Sequence, residues 1–358
     1  MASALFLSAC SGGTGRPETS RGSDEAWAQL PEAVSNNAVA SATVDGRTMA
    51  YSFAGLHAGK TWQDVTADAY ACDLEARSCE EIAGLPDGVG RLASVAATAD
   101  NQIYIFGGYT VGEDDSERST PEVWQFNPET ETYARVADIP IPTDDAVAVT
   151  YQDRFIYLIS GWHDTDNIDA VQVYDTVGDR WFEATSWPGS PVFGHAGGIV
   201  GNHIVACGGV EVVPPVDADA RRTFEHYNAC WQGDIDPADP AVITWSPAPG
   251  HQGPARYRAA ATGSERAGNV YFVGGTDNPY NYNGIGYNGV PSRPLDSIMH
   301  PPLAGETDGA NWRLIVGYGT FGTMDHRGLI EWDDAFFTLG GMNGAQEVIS
   351  DVRAIRID

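Results

Sequence analysis

At 358 residues the chain is long enough for two or three ordinary domains or for one large repeat architecture. Its 42% hydrophobic content is that of a globular protein, and 41 glycines with 21 prolines suit many short strands and turns. A formal net charge of −29, with Lys60 the single lysine, argues against nucleic acid and anionic lipid as partners, because both call for a basic face.

The first segment reads as an address. Leu5-Phe6-Leu7-Ser8-Ala9-Cys10 is a short apolar run ending in small residues and a cysteine. Leu7-Ser8-Ala9-Cys10 resembles the lipobox of bacterial lipoproteins, which implies lipidation at Cys10 and a place in the bacterial cell envelope, periplasmic or on the outer membrane. Ser11 to Asp24 is polar and Gly/Ser-rich, as a tether would be. Residues 1–24 are therefore expected to be signal and tether, and residues 25–358 the folded body. No stretch is long enough to span a bilayer, so membrane contact is expected only through the lipid.

The body repeats. Six apolar runs end in small or double glycines: Met49 to Gly55, Ile103 to Gly108, Phe155 to Gly161, Ile204 to Gly209, Val270 to Gly275 and Phe336 to Gly341. The first residues of the small pairs are spaced by 53, 53, 48, 66 and 66. β-Branched and aromatic residues mark each run as a buried strand, and the glycines allow a turn where a Cβ would clash. A further strand follows each pair, for example Val123-Trp124-Gln125-Phe126 or Val171-Gln172-Val173-Tyr174. The next strand carries an aromatic, Tyr133, Trp181, Trp245 or Trp312, read as packing between repeats. A double glycine with a period near 50 and this aromatic spacing resembles the kelch repeat. That resemblance implies an all-β, six-bladed β-propeller with four antiparallel strands per blade.

Closure and cross-links can be read too. The last repeat ends without a fourth strand, and Ala26-Trp27-Ala28-Gln29-Leu30-Pro31 is left over at the other end. This segment is expected to complete the sixth blade and protect its edge. Besides Cys10, four cysteines form two local pairs. Cys72 and Cys79 flank a hairpin turn, and Cys207 and Cys230 fall on neighbouring strands, so both pairs are expected to bond.

Blade topology selects a face. Residues just after each glycine pair and just before each innermost strand converge at one mouth of the channel. Gly194-His195-Ala196-Gly197-Gly198, Arg256-Tyr257-Arg258 and Thr323-Met324-Asp325-His326-Arg327-Gly328 stand out there. His195, Asp325 and His326 are the candidate acid–base residues. Arg256, Arg258 and Arg327 are candidates for holding a carboxylate or polarised oxygen. Tyr109, Asn278, Tyr280 and Tyr282 are candidates for contacting a polyhydroxyl ligand, by ring stacking and by amide hydrogen bonds. The acidic stretches Glu113-Asp114-Asp115 and His163 to Asn167 lack calcium-loop spacing, and no His/Cys set has zinc spacing. Neither metal nor cofactor is expected.

Gly84-Leu85-Pro86-Asp87-Gly88-Val89-Gly90-Arg91, leading into Ile103 to Gly108 and Asn127-Pro128-Glu129-Thr130, resembles the six-bladed N-acetylneuraminate epimerase (sialic acid mutarotase) group. Galactose oxidase also has kelch repeats, but the six blades and the lack of a copper ligand set speak against copper oxidation. Fold does not fix function in such families. The first expectation is a binding module for carbohydrate or protein in the envelope. The alternative is a mutarotase or epimerase acting on an acidic or amino sugar.

Overall fold

The computed structural model describes residues 20–22, 26–214, 222–251, 253–302, 312–316 and 322–357; Cys10 and the lipobox lie outside them. Six antiparallel sheets follow one another along the chain. The first blade is built from Ala38–Val44, Arg47–Leu56, Val65–Asp73 and Ser78–Ile82. The second uses Val95–Ala99, Gln102–Phe106, Val123–Asn127 and Thr132–Val136. The third uses Val147–Tyr151, Phe155–Ile159, Val171–Asp175 and Arg180–Glu183. Ala196–Val200, His203–Cys207, Cys230–Asp236 and Asp239–Pro247 make the fourth. Ala260–Ser264, Asn269–Val273, Ser297–His300 and Arg313–Val316 make the fifth. The sixth has Ile330–Trp332, Ala335–Leu339 and Asp351–Ile357 from the C-terminal part of the chain.

The N-terminal part supplies what the sixth blade lacks. Ala28–Gln29 pairs with the last strand, Ala28 opposite Val352 and Gln29 opposite Asp351. Ser20–Gly22 extends along the same strand, Ser20 opposite Ile357. Trp27 meets Trp332 and Phe337 edge-on at 6.2 and 5.6 Å, and its indole N–H donates to Leu74 O of the first blade at 2.8 Å. One aromatic thus joins the last blade to the first.

A related contact, made to the preceding blade rather than the next, joins the other blades. The Tyr133 hydroxyl donates to Ala83 O at 2.7 Å, and the indole N–H groups of Trp181 and Trp245 donate to Ala137 O and Thr185 O at 2.9 and 3.1 Å. Trp312 donates to Pro249 O. The apolar body fills the gap between sheets, and the polar tip satisfies a carbonyl at the end of the preceding blade.

The glycine pairs make the ring possible. Gly107 and Gly108 both have positive φ, 50° and 92°, which side chains rarely adopt. A Cβ on Gly107 would lie 2.3 Å from Thr143 O of the next blade, and the Gly108 N–H donates to that same carbonyl. Equivalent bonds run from Gly55 to Arg91, Gly161 to Val192, Gly209 to Arg256, Gly275 to Thr323 and Gly341 to Val34. Six bonds therefore close a ring around the propeller.

A second ring lies nearer the axis. Asn36, Ala93, Asp145, Gly194, Arg258 and Asp325 occupy the same place in successive blades, all with positive φ. Ala93 N donates to Asn36 O, Asp145 N to Ala93 O, Gly194 N to Asp145 O and Arg258 N to Gly194 O. His326 N donates to Arg258 O and Asn36 N to Asp325 O, which completes the circle. Five of these six residues are not glycine, so the conformation carries strain that the bonds of the circle offset.

Both cysteine pairs are bonded, Cys72 to Cys79 and Cys207 to Cys230. Each pair sits directly opposite across neighbouring strands, which brings the sulfurs together without bending the backbone.

Candidate functional site

The axial ring carries a buried plug of charge. Arg258 Nη2 donates to Asp145 Oδ2 at 2.7 Å, and Arg258 Nη1 donates to Asp325 Oδ1 at 3.2 Å. Arg327 Nη2 lies 2.7 Å from Asp145 Oδ1 and also donates to Asn36 Oδ1 at 2.8 Å. The guanidinium of Arg258 lies over the rings of Tyr257 and Tyr280, 4.8 and 5.3 Å from their centroids. Burial opposes the charge on Arg258, yet Asp145, Tyr257 and Asp325 hold its pKa well above the usual arginine value. A tightly paired guanidinium of this kind closes the channel and is already occupied.

The plug separates two cavities. On one side the axial channel encloses about 240 Å³, lined by small residues of the innermost strands together with His195, His326 and Arg327. On the other side, among the loops of the mouth, a cup encloses about 330 Å³. Arg258 and Asp145 form part of its lining.

Short hairpins build the cup walls. Tyr109–Val111 pairs with Glu117–Ser119, setting Tyr109 opposite Ser119. Trp162–His163 pairs with Asp166–Asn167, and Val210–Val213 with Thr223–His226. Four rings then form one wall. Trp162 meets Phe193 at 5.4 Å, Phe193 meets Phe224 at 5.8 Å, and Tyr287 stacks on Phe224 at 4.3 Å with an interplanar angle of 26°. Tyr287 remains 42% exposed. The Arg222 guanidinium lies 5.3 Å over the Trp162 ring and donates to Thr165 O.

Carboxylates form the rest. Asp115, Glu117, Asp144, Asp145 and Asp164 line the cup, against Arg118, Arg222 and Arg258. Asp144 is the unusual member. In every blade, the residue before the axial ring exchanges backbone hydrogen bonds with the residue after the glycine pair. The places are Ser35, Leu92, Asp144, Phe193, Tyr257 and Met324. Asp144 is the single carboxylate in that series, and it is 3% exposed. Ser119 Oγ donates to its Oδ2 at 2.6 Å. Burial and the neighbouring Asp145 push the Asp144 carboxyl well above the usual carboxylate range. Partial desolvation in the cup raises Glu117 as well, although much of its side chain stays exposed.

The residues singled out from sequence divide between these places. Tyr109 lines the cup, 6% exposed, and Arg258 lines its floor. Asp325 lies in the plug, bound to Arg258 and Asn36. His326 lies beside it in the chain but turns away, its Nε2 2.6 Å from Thr323 Oγ1. Burial, with Arg327 and Arg353, lowers this imidazole to about 3. His195 packs against Trp187 at 5.8 Å, and burial lowers it to about 4. The expectation that His326 or His195 acts with Asp325 meets a different arrangement: His195 and His326 both line the axial channel, while Asp325 is engaged in the plug. Asp325 has a positive φ of 71°, and this turn sends its side chain into the plug while His326 bonds Thr323.

The arginine expectation is also revised. Arg256 donates to Gly274 O, Ser297 O and Ser297 Oγ, which uses it to tie strands together. Burial lowers it to about 10. Arg327 faces the axial channel and pairs with Asp145. The Asn278 amide donates to Val290 O and accepts from Asn288, so it fixes its own loop. Tyr280 is fully buried against Tyr257, and Tyr282 packs partly buried beside the same cluster. From that loop, Asn281 and Tyr287 line the cup instead.

Sequence reading missed Glu117, Ser119, Phe193, Arg222 and Phe224. Phe193 directly precedes the flagged Gly194-His195, so the same topological rule reaches it. Arg222 and Phe224 lie on the return strand of a hairpin, far in sequence from the glycines that marked the mouth. Aligning the six residues before the axial ring would have exposed Asp144 as the odd one.

Among the described residues, no group of three or more His, Cys, Asp or Glu is arranged to hold a metal ion. The glycine-turned blades, the inter-blade aromatics and the plugged axis define a six-bladed propeller with a cup among the loops of one mouth. Residues 25–209, more than half of the chain, match the KLHDC2/KLHL20/DRC7 Kelch-repeats domain, and the chain belongs to that kelch-repeat family. Kelch-like protein 15 of Gallus gallus is 26% identical over 114 residues, 32% of this chain and 23% of that protein. The Homo sapiens protein of the same name is 25% identical over 114 residues, 32% of this chain and 18% of its own length. The match thus spans about a fifth of these relatives. A solved structure titled "Structure of YjhT" superposes with a TM-score of 0.69 at 14% identity, covering 92% of this chain and 99% of that one. That likeness is one of fold.

Proposed function

We propose that the propeller is a binding module whose ligand, a small carbohydrate, seats in the mouth cup. One observation carries this reading: a contiguous aromatic wall faces a set of carboxylates across a cavity of about 330 Å³. Rings stack on the apolar face of a sugar, and carboxylates accept hydrogen bonds from its hydroxyls. The volume lies at the small end of ligand pockets, about 300–1,000 Å³, which favours one or two sugar rings over a chain. The two disulfides and the lipobox-like Leu7-Ser8-Ala9-Cys10 support a place in an oxidising envelope compartment, with the propeller tethered through Cys10.

Saturation-transfer NMR against a panel of mono- and disaccharides tests the reading. Transfer to at least one sugar is expected, and Tyr287→Ala or Trp162→Ala should abolish it. Transfer that survives both substitutions would move the site elsewhere.

A second reading, ring-opening mutarotation, has its own observation. Asp144 and Glu117, both raised toward the protonated form, line the same cup. A carboxyl whose proton is held more tightly than usual can pass it between a ring oxygen and an anomeric hydroxyl. Anomer exchange in freshly dissolved sugars, followed by one-dimensional NMR, decides this. Unaltered exchange across the panel removes the mutarotase reading.

A further inference from the structure

The geometry points to an amino sugar with a free ammonium group as the ligand of the mouth cup. This rests on the carbohydrate reading above and narrows it.

The charge balance of the cup is the first ground. Arg258 is committed to Asp145 and Asp325 inside the plug, so it offers nothing to a ligand. Arg222 lies over Trp162 and donates to a backbone carbonyl. Arg118 is exposed at the rim, where solvent and salt screen it. Asp115, Glu117 and Asp164 are exposed as Arg118 is, and Asp144 is set deep in the wall; beyond the plug, four carboxyl groups thus face two arginines, Arg118 and Arg222. An acidic sugar would meet repulsion there and find no uncommitted deep cation.

The second ground is independent of charge. Tyr109 is 94% removed from solvent, yet its hydroxyl makes no hydrogen bond among the described residues, and the side chain lines the cup. That hydroxyl is reached from the cup rather than sealed in the core, so a ligand seated there can complete its hydrogen bond. Asp144 has spare capacity as well. Ser119 serves its Oδ2, and no donor reaches Oδ1 among the described residues. Like charge from Asp145 and Glu117 disfavours ionised Asp144, and a bound ammonium would relieve that repulsion.

The third ground is the wall itself. It already holds one cation, since the Arg222 guanidinium sits 5.3 Å above Trp162. The stacked pair Phe224 and Tyr287 offers an exposed face to a sugar ring. An ammonium has three donors, enough for Asp144, Glu117 and the Tyr109 hydroxyl. One ligand therefore satisfies both halves of the cup.

The experiment titrates the full chain with glucosamine, N-acetylglucosamine, glucose and glucuronate, below the amine's pKa, with chemical shifts as the readout. Glucosamine is expected to bind at least tenfold more tightly than glucose or N-acetylglucosamine, with glucuronate weakest. Raising the salt concentration should weaken glucosamine and leave glucose unchanged. Glu117→Gln, at an exposed position, and Asp144→Asn should each remove most of the glucosamine preference while the ring contact through Tyr287 persists. Neutral sugars binding as well as glucosamine would overturn the inference and leave the carbohydrate reading standing. Tetramethylammonium or arginine binding while every sugar fails would overturn both. A glucosamine preference unchanged in Glu117→Gln and Asp144→Asn would also overturn the inference, because the cation would then sit elsewhere.

Discussion

Arg258 and Asp145 are 113 residues apart in sequence and 2.7 Å apart at the propeller axis. They belong to the fifth and third blades, and Asp325 of the sixth completes the contact from the other side. A bond that spans non-adjacent blades across the middle of the ring makes the axis a solid element. It also sets the floor of the cup.

Breaking that contact should destabilise the whole ring. Asp145→Asn leaves Arg258 and Arg327 buried with one shared carboxylate, Asp325. Removing one member of a buried pair costs about 3–5 kcal/mol. A urea or thermal midpoint should fall accordingly, as one cooperative transition. A midpoint unchanged within error would mean that the plug is decoration.

Asp144→Asn should act in the opposite direction. The Asp144 pKa is raised in the fold, so its contribution to stability is present below its unfolded value and is lost as pH rises through the folded one. An amide removes that loss and still accepts from Ser119. The variant is expected to be more stable than the parent at neutral pH, with the difference shrinking toward pH 4. Thermal midpoints measured across that range test it. A variant less stable at neutral pH would show that ionised Asp144 is an asset to the fold.

Deleting the segment before Pro31 should open the ring. The deletion removes the Ala28–Gln29 pairing and the Trp27 contacts with Trp332, Phe337 and Leu74. An exposed strand edge on Asp351–Ile357 would remain. A lower thermal midpoint and faster proteolysis are expected. Trp27→Ala alone should cost about 3 kcal/mol, in line with large aromatic deletions.

The two disulfides should contribute unequally. Cys207 and Cys230 are 23 residues apart, Cys72 and Cys79 only 7. Loop-closure entropy gives about 3.4 kcal/mol for the longer and about 2.4 kcal/mol for the shorter. Paired Cys→Ser replacements, compared by denaturant midpoint, should show the larger loss at 207/230.

The repeat was legible because it is written in local chemistry. Gly107 and Gly108 turn the chain away from Thr143 O, and the five equivalent pairs do the same at similar spacing. Even Ala54 and Ser160, which replace glycine in two pairs, keep positive φ, so the turn tolerates a small side chain. The leftover segment at Trp27 revealed closure because a missing fourth strand and an orphan strand must meet. The site was less legible. Asp325 and His326 look like a pair on paper, yet one enters the plug and the other bonds Thr323.

The sequence by itself determined the blades, their number, the closing strand and the face on which loops converge. These follow from hydrophobic period, glycine geometry and neighbour-to-neighbour pairing, all of which act over a few tens of residues. Only the tertiary structure decided which charges are free. Arg258 became a structural cation because Asp145 and Asp325 arrive from other blades, and Asp144 became a candidate ligand group because its blade-mates at that position are apolar or small. Availability of a side chain depends on partners brought from across the ring, and long-range pairing leaves no mark in the local pattern.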